Sequence, residues 1–144
     1  PYDYLLEDSV GRVRVQVKLQ RKKGGKPMMA SQGYKWLSGE MFAVETQKTR
    51  GGKDPQTKED TRPYRFGEFD VLAVSMEPSV SRWDAFMFTV AKWLLPRPDD
   101  PNLLLKFQPV SPVPNEDWTD DFNVCVAWLR SGNVKTIGGR NLSG

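Results

Sequence analysis

Histidine is absent from all 144 residues. That absence excludes Ser–His and Cys–His catalytic pairs, His-ligated zinc, and any nuclease whose general base is imidazole. Hydrolysis by this chain would have to rely on Asp, Glu, Lys and a hard cation. Cysteine is represented by Cys125 alone. One cysteine makes no internal disulfide and no Cys-rich zinc site. Its place in an apolar helical pattern predicts a buried thiol, not a nucleophile. Runs of 18 apolar residues are missing, as is a recognisable signal peptide, so no membrane span is expected and the setting is expected to be cytoplasmic. No internal repeat is visible.

What is present suits one domain with a modest core: 38% apolar residues, including five Trp and seven Phe. The net charge of +3 is unevenly spread. Residues 1–70 carry 14 Lys/Arg against 10 Asp/Glu, and residues 71–144 carry 7 against 8. The basic excess of the first half points to a polyanionic partner there. The first residue is Pro, not Met, and a fold cut into at its N-terminus is expected.

The clearest pattern is RVRVQVKLQ at 12–20. Val13, Val15, Val17 and Leu19 fall on one face; Arg12, Arg14, Gln16, Lys18 and Gln20 fall on the other. With the strand expected at 1–8 and a turn at Ser9–Gly11, this predicts a hairpin. The apolar face should meet the core and the polar face should line a cleft. RKKGGKP at 21–27 reads as a basic loop, 28–38 as holding a short helix, 40–48 as a strand, and the polar stretch 49–63 as a loop. EFDVLAVS at 68–75 reads as a strand buried on both faces, with Asp70 satisfied by neighbouring backbone rather than binding a metal. Residues 83–95 read as one strand or two, with Trp83, Phe86, Phe88 and Trp93 in the core, stopped by Pro96, Pro98 and Pro101. Pro109, Pro112 and Pro114 mark a connector. A helix is predicted over 118–131, its stripe Trp118, Phe122, Cys125, Val126 and Leu129, with Gly132 at its C-cap and a loose tail from Asn133. The expected organisation is a core at 1–108, with a connector and a helix packing on it at 109–144.

Phosphodiester hydrolysis without His needs a carboxylate to hold a cation near the phosphate, a second oxygen ligand, and a Lys to orient the attacking water and offset developing charge. Two adjacent strands supply these parts if one carries the acid and the next carries ligand and Lys at i and i+2, which point to the same side. Asp3 lies on the first strand here, and Gln16 and Lys18 share the polar face of the second. The Val17 carbonyl is a further candidate ligand. Arg21, Lys22, Lys23 and Lys26 follow directly, and Lys48 and Arg50 lie further on, as candidate phosphate contacts.

Pro1-Tyr2-Asp3 followed by Gln16-Val17-Lys18 resembles the PD-(D/E)XK restriction-endonuclease-like signature in its QXK form, and FDVLAV at 69–74 resembles a later strand of that group. The resemblance is strongest over residues 1–20. It implies an α/β fold with a central mixed β-sheet flanked by helices. The activity it implies is a restriction-type DNA endonuclease using Mg2+, or Mn2+ in its place, acting as a homodimer. Asp3, Gln16 and Val17 would be at the metal, and Asp3, Gln16 and Lys18 would be catalytic. Two departures matter. Gln16 stands where the family usually has an acid, and the Glu that many members carry on a helix before the Asp strand is not in this sequence; Glu7, on the parity of Asp3, is a weak substitute. Two other readings stay open: a nuclease-like domain that binds DNA without cutting it, and a basic β-rich interaction module. Metal titration separates the first from an enzyme, and salt-dependent DNA binding separates the second.

Overall fold

The structure, a computed structural model, describes residues 2–47 and 63–140. Strands β1 (Tyr4–Glu7) and β2 (Arg12–Leu19) form the expected antiparallel hairpin, with Tyr4 opposite Val15 and Glu7 opposite Arg12. The Asp8 carboxylate closes the turn by accepting the Val10 and Gly11 N–H groups at 2.9 and 3.0 Å. The basic segment expected as a loop is instead a tight hairpin of β3 (Lys22–Lys23) and β4 (Lys26–Pro27). Helix α1 (Ala30–Gly33) and strand β5 (Phe42–Glu45) follow. The loop expected at 49–63 lies outside the described residues but for Pro63. Beyond it come β6 (Val71–Ser75), α2 (Glu77–Val80) and β7 (Phe86–Val90), the last running into a 3-10 turn at Ala91–Trp93. Of the aromatic stretch expected as strand over 83–95, only 86–90 is strand, and it ends in that turn before the prolines expected to stop it. Strands β8 (Pro96–Arg97), β9 (Asp100–Leu104) and β10 (Phe107–Val110) and helix α3 (Phe122–Ser131) follow.

The molecule is mixed α/β with few helices. Its central sheet has the order β1-β2-β6-β7, with β6 parallel to β2 and the other pairs antiparallel. Every residue of β6 is buried, which is why it reads as an uninterrupted apolar run. Val15, Val17, Ala73 and Phe88 share the face on which α3 lies, and toward β1 this face stays an open apolar groove. The opposite face of β2 is turned inward, where β5, paired with β10, meets its end through a Gln20–Val44 bridge.

This inward turn corrects the expectation of an open polar face. Gln16 is 5% exposed and Gln20 only 1%. The alternation separates the two faces, but a second β layer covers the Gln16–Gln20 end of the polar one while Arg12 stays exposed, and Leu19, expected in the core, is 51% exposed. Other expectations also change. Trp83 is 72% exposed rather than in the core. Pro109 is not a connector but sits in β10 opposite Ala43, tolerated because β10 pairs with one neighbour. Helix α3 starts at Phe122 rather than 118, because Asn115 accepts the Asp117 and Trp118 N–H groups, both at 2.8 Å, and Thr119 then bridges to Phe88. The segment after Asn133 is tied down, not loose, through Ile137 N–H to Trp93 O (2.8 Å) and Ser38 N–H to Gly139 O (2.6 Å).

Candidate functional site

The hairpin register brings Asp3, one step before Tyr4, level with Gln16. Its N–H donates to the Val15 carbonyl at 2.9 Å. Its Oδ2 accepts the Gln16 Nε2 amide at 2.9 Å and the Val17 N–H at 2.9 Å. Odd residues of β2 direct their peptide groups toward β1, and even residues toward β6, as the Arg14 carbonyl does to Asp70 N–H. Val17 therefore faces the side where β1 has ended. Its N–H is taken by the Asp3 carboxylate, and its carbonyl receives a single long contact from Gln16 Nε2 at 3.4 Å. Asp3, Gln16 and the Val17 carbonyl are thus brought together, with Asp3 Oδ1 and Gln16 Oε1 unbonded among the described residues.

Lys18 stands two residues on, on the face of Gln16. Its amine is half-buried, donates to the Gln47 carbonyl at 2.7 Å, and lies 5.2 Å from the centre of the Tyr64 ring. Burial pushes this amine below its ordinary pKa, opposed by the charges of Asp3 and Glu45. Burial, with the charges of Asp3 and Glu68, pushes the Tyr64 phenol up to about 12, so it stays protonated.

Tyr64, Glu45 and the Gln47 carbonyl were missed in the sequence. Glu45 lies in the predicted strand 40–48, but nothing there says that β5 meets the end of β2. Glu45 also holds Arg21 at 3.3 Å and Lys106 at 3.9 Å. Arg21 is therefore engaged by a carboxylate, whereas Lys22, Lys23 and Lys26 are exposed. Lys48 and Arg50 lie outside the described residues. Glu7 pairs with Arg12 at 3.3 Å, at the far end of the hairpin from the Gln16 amide. Asp70 is bound by Arg14, not available as a ligand: its carboxylate accepts Arg14 N, Nε and Nη2 at 2.8, 3.1 and 2.9 Å. Cys125 is fully buried, and burial pushes its thiol up to about 12, so it is no nucleophile.

Among the described residues no three Asp, Glu or Cys side chains cluster as a metal site. What converges is one carboxylate, one amide oxygen and one peptide carbonyl. These are hard oxygen donors with a single negative charge, a set that suits a cation retaining most of its water. Also among the described residues, no helix is long and apolar enough to cross a membrane. The chain matches no protein-family model, no curated protein and no solved structure.

Proposed function

We propose that this chain is a metal-dependent DNA endonuclease of the restriction type, built on a PD-(D/E)XK-like core. The observation that carries the reading is the Gln16-to-Asp3 hydrogen bond at 2.9 Å, with Lys18 on the same face and under the influence of the Asp3 charge. Asp3 and Gln16, with the Val17 carbonyl, would hold Mg2+ or Mn2+, which would supply charge neutralisation and an activated water. The chain's own residues do the rest. Gln16 fixes the Asp3 carboxylate by donating to Oδ2, which leaves its own Oε1 and Asp3 Oδ1 for ligand contact. Lys18 is held by the Gln47 carbonyl and the Tyr64 ring, where its amine can orient a water and meet charge developing on the phosphate. Lysines of the β3–β4 hairpin would contact the DNA backbone. Two copies of the chain, one site per strand, would cut both strands of a duplex.

Cleavage of duplex DNA in Mg2+ tests this. Asp3→Asn and Lys18→Ala should each lower the rate by at least ~10²-fold, the scale on which one preorganised electrostatic group acts. Metal affinity should fall in the Asp3 variant and hold or rise in the Lys18 variant, while Gln16→Glu should tighten it. Asp3→Ala is the poorer probe, since unpairing the buried Gln16 amide costs about 1–3 kcal/mol of stability. Normal cutting by an Asp3→Asn/Lys18→Ala double variant would place the chemistry elsewhere.

The shortage of clustered acids among the described residues favours a second reading, a domain that binds DNA without cutting it. Calorimetric titration with Mn2+ decides between them: binding that Asp3→Asn abolishes supports the enzyme, and no binding supports the DNA-binding domain.

A further inference from the structure

The β3–β4 hairpin combines features that no part of the fold requires. Gly24 and Gly25 both adopt left-handed φ values of 62° and 79°, forming a two-residue turn of the mirror-image type that matches strand twist. A Cβ at either would meet no atom within 4 Å, so the tip stands clear of the molecule. Met28 N–H to Arg21 O at 2.8 Å fastens its base. The register sets Lys23 directly opposite Lys26, on one face, and Lys22 opposite Pro27, on the other. Like charges directly opposite oppose strand pairing. This pair is therefore a local cost to folding with no gain inside the fold, a pattern expected of functional positions.

Among the described residues the cost is not offset by counter-charge. Eight Lys and Arg side chains among them have a carboxylate oxygen within 4.0 Å, while Lys35, Lys92 and Arg140, like the hairpin lysines, have none. None of Lys22, Lys23 or Lys26 has one there, and α2 beside β4 brings Glu77 into no ion pair with them. Two unpaired ammonium groups whose Cβ atoms lie roughly 5 Å apart can close on the two free oxygens of one phosphodiester. The hairpin turn lies six residues from Lys18, so within roughly 20 Å of it along the chain.

We infer that Lys23 and Lys26 form a clamp for one backbone phosphate of duplex DNA, leaving Arg21 to Glu45 and Lys22 off the contact. This rests on the DNA part of the reading above but not on cleavage.

The test is binding of a fluorescent duplex oligonucleotide across a salt series without divalent metal, beside thermal unfolding of each variant. The Lys23→Ala/Lys26→Ala double variant should reduce the log–log salt slope by about 0.9, the value for one phosphate. Lys22→Ala should leave the slope unchanged. Lys26→Glu should weaken binding while raising Tm, because it pairs with Lys23. An unchanged slope in the double variant, or a Tm that falls along with affinity in Lys26→Glu, overturns the clamp. So does equal competition by vesicles rich in phosphatidylserine, which would make the partner a membrane. Wild-type protein that binds no duplex overturns the DNA reading itself, whereas wild-type binding with unaltered variants overturns the clamp alone.

Discussion

Arg14 and Asp70 grip one another by side chain and backbone: the guanidinium forks onto the carboxylate, and the Asp70 N–H returns to the Arg14 carbonyl at 2.8 Å. Burial raises the Asp70 pKa, but the hydrogen bonds and charge of Arg14, with the charge of Lys92, outweigh it and leave the carboxyl below its ordinary 3.8. A carboxyl with a depressed folded pKa adds stability that is present above its unfolded value and lost as pH falls through the folded one. Asp70→Asn should therefore cost roughly 1–2 kcal/mol near neutrality, discounted because water reaches Arg14. Urea unfolding at about pH 7 and about pH 3 checks the sign. The gap between wild type and variant should narrow in acid, and a constant gap would mean that Asp70 acts by shape alone. The same scale explains the site: Gln16 differs from an exposed strand glutamine because its amide is buried and spent on Asp3.

Helix α3 shows why an element can be recognised before its boundary is. Cys125 and its apolar neighbours announce the helix, and Gly132, with φ 74°, ends it as expected. Its start is decided by Asp121, whose Oδ1 accepts the Asn123 N–H at 2.9 Å. Asp121→Ala should cost about 1 kcal/mol, readable as a lower midpoint in chemical unfolding. In α1 the controlling residue is Gly33. A Cβ there would lie 2.8 Å from Phe107 Cδ2, so the helix packs on β10 only because this residue has no side chain. Gly33→Ala should destabilise by about 1–3 kcal/mol, the usual cost of overpacking. A stable Gly33→Ala protein would show that the Phe107 ring can move aside.

The whole molecule is closed by its C-terminal segment. Trp93 Nε1 donates to Asn133 O at 3.0 Å, Gly138 N–H to Asp117 Oδ2 at 2.8 Å, and Arg140 bridges back to Leu37. This run joins the α3 side of the central sheet to α1 and β5. Ile137, 3% exposed, is its apolar anchor. Ile137→Ala should lower stability by about 2–5 kcal/mol, while the exposed neighbour Val134→Ala should stay within about 0.5 kcal/mol. Equal effects of the two in thermal unfolding would mean that the segment is not part of the core.

The residues alone determine the β1–β2 hairpin, because strict alternation of Val with polar residues suits a strand and nothing else. They also determine buried β6, the body of α3, and the placing of Gln16 and Lys18 on one strand face with Asp3, just before β1, opposite Gln16, since that needs only period two and a short turn. Tertiary structure decides what these side chains face. Which layer covers a polar strand face depends on contacts between segments far apart in sequence, and no local pattern encodes that. So the burial of Gln16 and Gln20, the seating of Lys18 against Tyr64 and Gln47, and the capture of Arg21 by Glu45 were not legible in the sequence. The tail is not legible for the same reason: its polar, Gly-containing sequence has no periodicity, and its order comes from Trp93, Ser38 and Asp117, which the fold brings to it.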